Sequence, residues 1–196
     1  MNTSLWLRRG HAVLLIAFVC IWIVVACAPN SSPDARHTPI LSPLPTFVVA
    51  TPFGSQTKFT DCVRSGILQD TACTPGSIFS NATAEIICVS GYTTRVRDSS
   101  SATKSKVEKE YNQVYNPKNP RAYEIDHLIP LELGGSNDTA NLWVEPGAGA
   151  QSYHAKDVLE NKMHALMCAG LLPLSRAQRQ ISLDWITAYH TYVGPL

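Results

Sequence analysis

Glu124-Ile125-Asp126-His127-Leu128-Ile129-Pro130-Leu131, followed by Gly134-Gly135-Ser136-Asn137 and Asn141-Leu142-Trp143, is the stretch on which the reading turns. Tyr123–Leu133 carries Ile125, Leu128, Ile129, Leu131 and Leu133 and predicts a strand. Gly134-Gly135-Ser136-Asn137-Asp138 is turn-forming, and Asn141–Glu145 predicts a second strand, so the two pair as a hairpin with a long loop. A helix follows over Ala155–Cys168, with Val158, Leu159, Met163, Leu166 and the stem of Lys162 on one face and Gly170 as its stop. Neighbouring side chains of a straight strand point to opposite faces. Asp126 and His127 can therefore share one site only where the strand twists or ends.

Upstream, Ser101–Tyr115 is rich in helix formers, with Val107, Tyr111 and Val114/Tyr115 spaced to share a face, and Asn116-Pro117 and Asn119-Pro120 end it. Ile86-Ile87-Cys88-Val89 reads as a short strand stopped by Ser90-Gly91. Downstream, Ser175 and Gln178 form a capping-box pattern that opens one last helix. Its core face is Ala177, Ile181, Trp185, Ala188, Tyr189 and Tyr192, and Trp143 and Trp185 read as core residues. Residues 57–196 are thus expected to form one α+β domain, with its chemistry in strand–loop–strand–helix over 123–168.

The ordered combination D-H-L-I-P-L, G-G-S-N and N-L over Tyr123–Trp143 resembles the HNH endonuclease motif of the His-Me finger (ββα-metal) superfamily. The likeness weakens through the helix to Cys168. It implies a ββα-metal motif with additional helices and hydrolysis of phosphodiester bonds in DNA, with RNA as a further substrate. By resemblance His127 is the general base, Asp126 the first metal ligand and Asn141 the residue that holds the loop and orients the histidine. Histidine suits the base because its ordinary pKa is about 6.5. A carboxylate with a neutral amide suits Mg²⁺, with Mn²⁺, Zn²⁺ or Ni²⁺ as alternatives. The sequence departs from the family at the third position, where zinc-knuckle cysteines are absent and Pro146–Ala150 lengthens the connection. His154, Asp157, Asn161 and His164 lie on one helical stripe. Asn161 is the preferred second ligand, with His164, Asp157 and His154 as alternatives. The competing class is a non-catalytic surface lipoprotein that binds nucleic acid or envelope components on the same scaffold.

The amino terminus reads as an address. Arg8 and Arg9 precede an uncharged run from Ala12 to Cys27, the pattern of an export signal. Val24-Val25-Ala26-Cys27 resembles the bacterial lipobox, which implies cleavage after residue 26, a lipid on Cys27 and a place on the extracytoplasmic face of the bacterial membrane. The rival is an uncleaved anchor. Residues 27–56 form a Pro-rich tether holding Pro29, Pro33, Pro39, Pro43, Pro45 and Pro52. The apolar piece Phe47–Ala50 reads alternatively as an edge strand.

Cys62, Cys73, Cys88 and Cys168 remain for an oxidising compartment, where two disulfides allow three pairings. Cys62–Cys73 would close a local loop and leave Cys88–Cys168 to clamp the domain. A four-Cys zinc site is disfavoured because no C-x-x-C pair is present. The chain has 16 Lys and Arg against 15 Asp and Glu, and without residues 1–26 its formal charge is −1. That balance excludes a protein coating nucleic acid through bulk charge. Arg95, Arg97, Lys104, Lys106, Lys109, Lys118 and Arg121 make the middle locally basic. Phosphate contacts are expected of some of these and a solvated face of most.

Overall fold

A computed structural model describes residues 49–50, 53–98, 100–114 and 116–196, which belong to the compact unit Pro43–Leu196. The expected export segment 1–26, the lipidation residue Cys27 and most of the 27–56 tether lie outside the described residues. No helix among the described residues is long and apolar enough to cross a membrane.

In chain order the elements are strands β1 (Val49–Ala50) and β2 (Ile78–Phe79), then helices α1 (Ala84–Ile87), α2 (Tyr92–Val96) and α3 (Ser101–Glu110). Strands β3 (Tyr123–His127) and β4 (Leu142–Pro146) follow, then helices α4 (Tyr153–Cys168), α5 (Leu174–Leu183) and α6 (Trp185–Tyr192). The class is α+β. β3 and β4 are antiparallel, with Asp126 opposite Trp143 and His127 opposite Leu142. β1 pairs antiparallel with β2, Val49 opposite Phe79. The edge-strand reading therefore holds for Val49–Ala50, and with Phe53 packed on the core the folded unit reaches upstream of Thr57.

The first strand is shorter than its apolar run suggests. Leu128 donates its N–H to the Asn141 carbonyl, Ile129 bonds through both backbone groups to the Asn141 side chain, and Pro130 has no donor. Leu131–Leu133 then curls into a 3-10 turn, ended by Gly134 at φ +77°. A Cβ on Gly135 would overlap the Ile129 carbonyl oxygen, so this close loop needs glycine there.

The core falls into two apolar clusters, one of which holds the hairpin strands. α3 contributes Val107, with Tyr111 just beyond it, to a cluster with Leu128, Leu142, Trp143 and Val144. Leu159 and Met163 of α4, Ile181 of α5 and Trp185 of α6 pack in the second cluster with Ile87 and with Ile129, Leu131 and Leu133 of the segment after β3. β4 is buried on both faces over Leu142–Glu145, which accords with the apolar run Leu142-Trp143-Val144 and also encloses Glu145. Trp143 and Trp185 are fully buried core residues.

Four local expectations are corrected. Ile86–Val89 is not a strand, because Ala84–Ile87 forms a helical turn that sends Ile87 into the core and no partner strand lies beside it. A four-residue apolar run does not distinguish the two periods. α3 stops at Glu110 and leaves Val114 85% exposed, while Tyr115 lies outside the described residues. In α4 the buried side is Tyr153, Lys156, Leu159, Glu160, Met163 and Met167, whereas Val158 and Lys162 are exposed. The last helix is two. α5 is capped at Pro173 rather than Ser175, and Gln178 donates to the Leu133 carbonyl instead of turning back to the cap. The extended Asp184 breaks the run, and its carboxylate accepts from the N–H groups of Ile186 and Thr187 to start α6.

Disulfides join Cys62 to Cys73 and Cys88 to Cys168. The second ties α1 to the end of α4 across 80 residues, against 11 for the first. Because loop-closure entropy grows with loop length, replacing Cys88 and Cys168 together by serine is expected to cost about 4 kcal/mol, more than the Cys62/Cys73 pair. Denaturant unfolding measures both, and an equal or reversed order would count against the entropic account.

Candidate functional site

β3 ends at His127, whose Nδ1 lies 3.9 Å from Asp126 Oδ1, but the two neighbours take different partners, Asn137 for the imidazole and Lys156 of α4 for the carboxylate. The imidazole is 6% exposed. Its Nε2 lies 3.0 Å from Asn137 Oδ1. Asn137 donates its amide to the Val96 carbonyl at 2.7 Å, and its Oδ1 also accepts from the Asp98 N–H at 3.2 Å. A carbonyl oxygen can only accept, so Nε2 carries the hydrogen and Nδ1 of the neutral ring keeps its lone pair. Burial pushes the imidazole below its ordinary pKa; Asp126 and Asn137 pull the other way without cancelling it. The ring is therefore neutral at neutral pH, with its free nitrogen on the Asp126 side.

Asn141 builds the loop beneath the histidine. Its buried amide accepts from the N–H groups of Ile129 (3.0 Å) and Ser77 (3.3 Å) and donates to the carbonyls of Ile129 and Ser136, both at 2.9 Å. Every polar valence of the side chain is used in tying the 128–136 segment to β4 and to the strand before α1.

Asp126 meets a residue that sequence reasoning missed. The fully buried Lys156 of α4 donates to Asp126 Oδ2 at 2.8 Å, to the His127 carbonyl at 2.7 Å and to Glu160, while Glu145 Oε2 of β4 lies 3.6 Å away. One ammonium thus joins both strands and the helix. Burial works against the charge on Asp126, but Lys156 and His127 outweigh it and hold the carboxyl at about 2. Burial likewise opposes the Lys156 charge, and Asp126, Glu160 and Glu145 reverse that, keeping the ammonium charged. Burial drives Glu145 well above the carboxylate range and Glu160 up to about 8, despite Lys156. Lys156 thus faces three carboxyl groups, of which Asp126 is pulled toward its charged form and Glu145 and Glu160 are pushed by burial toward their neutral forms. Lys156 and Glu160 stand four apart, a spacing that reads on sequence as a surface ion pair; only their place on the buried stripe sets them apart.

The expected second ligands lie elsewhere. The side of α4 that meets Asp126 carries Lys156 and Glu160, not Asn161. Asn161 is exposed and donates its amide to the Asp157 carbonyl at 2.8 Å. His164 Nδ1 donates to the Glu132 carbonyl at 2.8 Å, the His154 ring lies tilted against that of Tyr153, and Asp157 is exposed. Among the described residues no group of three or more His, Cys, Asp or Glu is arranged to hold a metal ion. A closed protein chelate therefore does not fit. A cation that keeps most of its own waters needs as little as one carboxylate from the protein, and Lys156 already holds Asp126 Oδ2.

A cleft opens over the histidine. Arg97, Ser100, Thr103 and Lys104 from the α2–α3 corner form one wall and Glu124 and His127 of β3 the other. Arg97 follows α2 directly and Lys104 lies near the start of α3. No family model matches this chain, and neither a curated protein nor a solved structure is significantly similar to it.

Proposed function

We propose that this chain is an endonuclease of the HNH type that hydrolyses phosphodiester bonds of DNA, and of RNA by the same chemistry, with low sequence specificity. The observation that carries the proposal is the buried neutral His127, fixed through Asn137 in the tautomer whose free Nδ1 faces an ionised carboxylate. In the proposed reaction Nδ1 takes a proton from water, the water oxygen bonds to phosphorus, and the ester oxygen leaves with the electron pair and is protonated by solvent. Asp126 would hold a divalent cation, most simply Mg²⁺, which when bound supplies positive charge to the phosphate. The near-neutral net charge supports the absence of base readout. The lipobox-like Val24–Cys27 supports display on the extracytoplasmic face of the membrane through a lipid on Cys27.

The full-length chain is expected to cut plasmid DNA with Mg²⁺ or Mn²⁺ and to stop when EDTA is added. Asp126→Asn is expected to abolish this activity and weaken Mg²⁺ binding by calorimetry; unchanged affinity would remove Asp126 from the metal site. One observation favours the second reading, a nucleic-acid-binding lipoprotein without catalysis: an Asp126 oxygen is already satisfied by Lys156. DNA binding by a folded chain that cuts nothing with Mg²⁺, Mn²⁺, Zn²⁺ or Ni²⁺ would establish that reading instead.

A further inference from the structure

Arg97 and Lys104 are the basic side chains that line the His127 cleft. Arg95 is tied to the Ser90 carbonyl, Lys58 to Asp70, and Lys106 to Glu110 and Thr139. Arg97 and Lys104 make no side-chain hydrogen bond or ion pair among the described residues, are exposed, and line the cleft that contains the His127 ring. Arg97 shares that cleft with His127 and with Glu124 of β3. Two acids share the cleft. Asp98 is engaged at its own corner, accepting from the Ser100 N–H at 2.8 Å and from Thr103 Oγ1 at 3.4 Å. Glu124 is exposed on the opposite wall.

A guanidinium and an ammonium without side-chain partners among the described residues, lining one cleft with a buried imidazole, are complementary to a single anionic group that must reach that imidazole. We propose that Arg97 and Lys104 form the phosphate-receiving wall of the His127 cleft and seat one nucleic-acid phosphodiester against the histidine; this rests on the phosphodiesterase reading. Arg97 offers a planar fork that can grip two phosphate oxygens, and Lys104 a point charge. Neither reads a base, so the seat takes any sequence.

The test measures binding apart from chemistry. Fluorescence anisotropy of a labelled single-stranded 20-mer, titrated with the full-length chain in EDTA at several salt concentrations, gives Kd and its salt slope. Arg97→Ala is expected to raise Kd about tenfold and lower the magnitude of the slope by about one, Lys104→Ala to act alike but more weakly, and Arg97→Lys to restore part of the binding. Lys109→Ala, on α3 but in a different cavity with Phe59 and Lys106, is expected to change neither. All of these side chains are exposed, so unchanged thermal midpoints verify the fold. Wild-type Kd and slope in Arg97→Ala and Lys104→Ala would overturn the assignment, as would a parent chain that does not bind the oligonucleotide; cleavage by the parent would then leave the nuclease reading standing. Binding that depends on Arg97 in a chain that cleaves nothing would keep the phosphate wall and remove the hydrolysis.

Discussion

Replacing Lys156 by methionine is expected to lower stability by about 3–5 kcal/mol, the usual cost of stripping the partner from a buried ion pair. The side chain is completely enclosed, and its ammonium bonds to β3, to the His127 carbonyl and to Glu160 of its own helix. Methionine fills much of the same space, so the loss reports the missing charge more than a cavity. The pH dependence carries the sign. Asp126, held at about 2 in the fold against an ordinary 3.8, contributes stability that is present above the ordinary value and lost as pH falls toward about 2. Without Lys156 that carboxyl takes up its proton at higher pH and is buried neutral. The deficit of the variant should therefore be largest near neutrality and shrink in acid. Denaturant melts at pH 7 and pH 4 measure it. A constant deficit would mean that packing, not charge, holds Lys156 in place. Glu160, raised to about 8 by burial, acts oppositely: its contribution is complete below the ordinary 4.5, is lost as pH rises from there through about 8, and changes no further in stronger alkali.

Replacing His127 by alanine is expected to reduce phosphodiester cleavage by about 10²–10⁴-fold, the range typical of a lost general base. Stability should change little by comparison, since the side chain gives up one hydrogen bond to Asn137, worth about 1 kcal/mol net. Added imidazole should restore part of the rate, which a merely structural histidine would not allow. Because burial lowers the pKa of His127, the acid limb of the wild-type rate profile should fall below the ordinary value of 6.5. Full activity in a folded His127→Ala chain would end the assignment of His127 as the base.

Much of the hairpin and of α4 was legible because both depend on local spacing. Turn-forming Gly134–Asp138 stands between two apolar runs, and Leu159, Met163 and Leu166 recur at the helical period and meet the core. Reading failed where apolar content alone had to decide direction. Leu128–Leu133 looks like more strand, yet its backbone groups go to Asn141 and to a 3-10 turn. The last helix looks continuous because Ile181 and Trp185 keep the period across Asp184, whose carboxylate caps the next segment instead.

The amino-acid order by itself carried the adjacency of Asp126 and His127, the glycine-rich loop, Asn141 four residues after Asn137, and four cysteines able to pair. All of these are properties of neighbours along the chain. Which side of α4 meets Asp126 was decided only by tertiary structure, because a helix offers Lys156 and Glu160 as readily as Asn161 until packing rotates one stripe inward. The tautomer of His127 was decided there too, by Asn137 reaching across to the Val96 carbonyl. So was the approach of Arg97 and Lys104 to the imidazole, which a chain separation of more than twenty residues hides from any spacing rule.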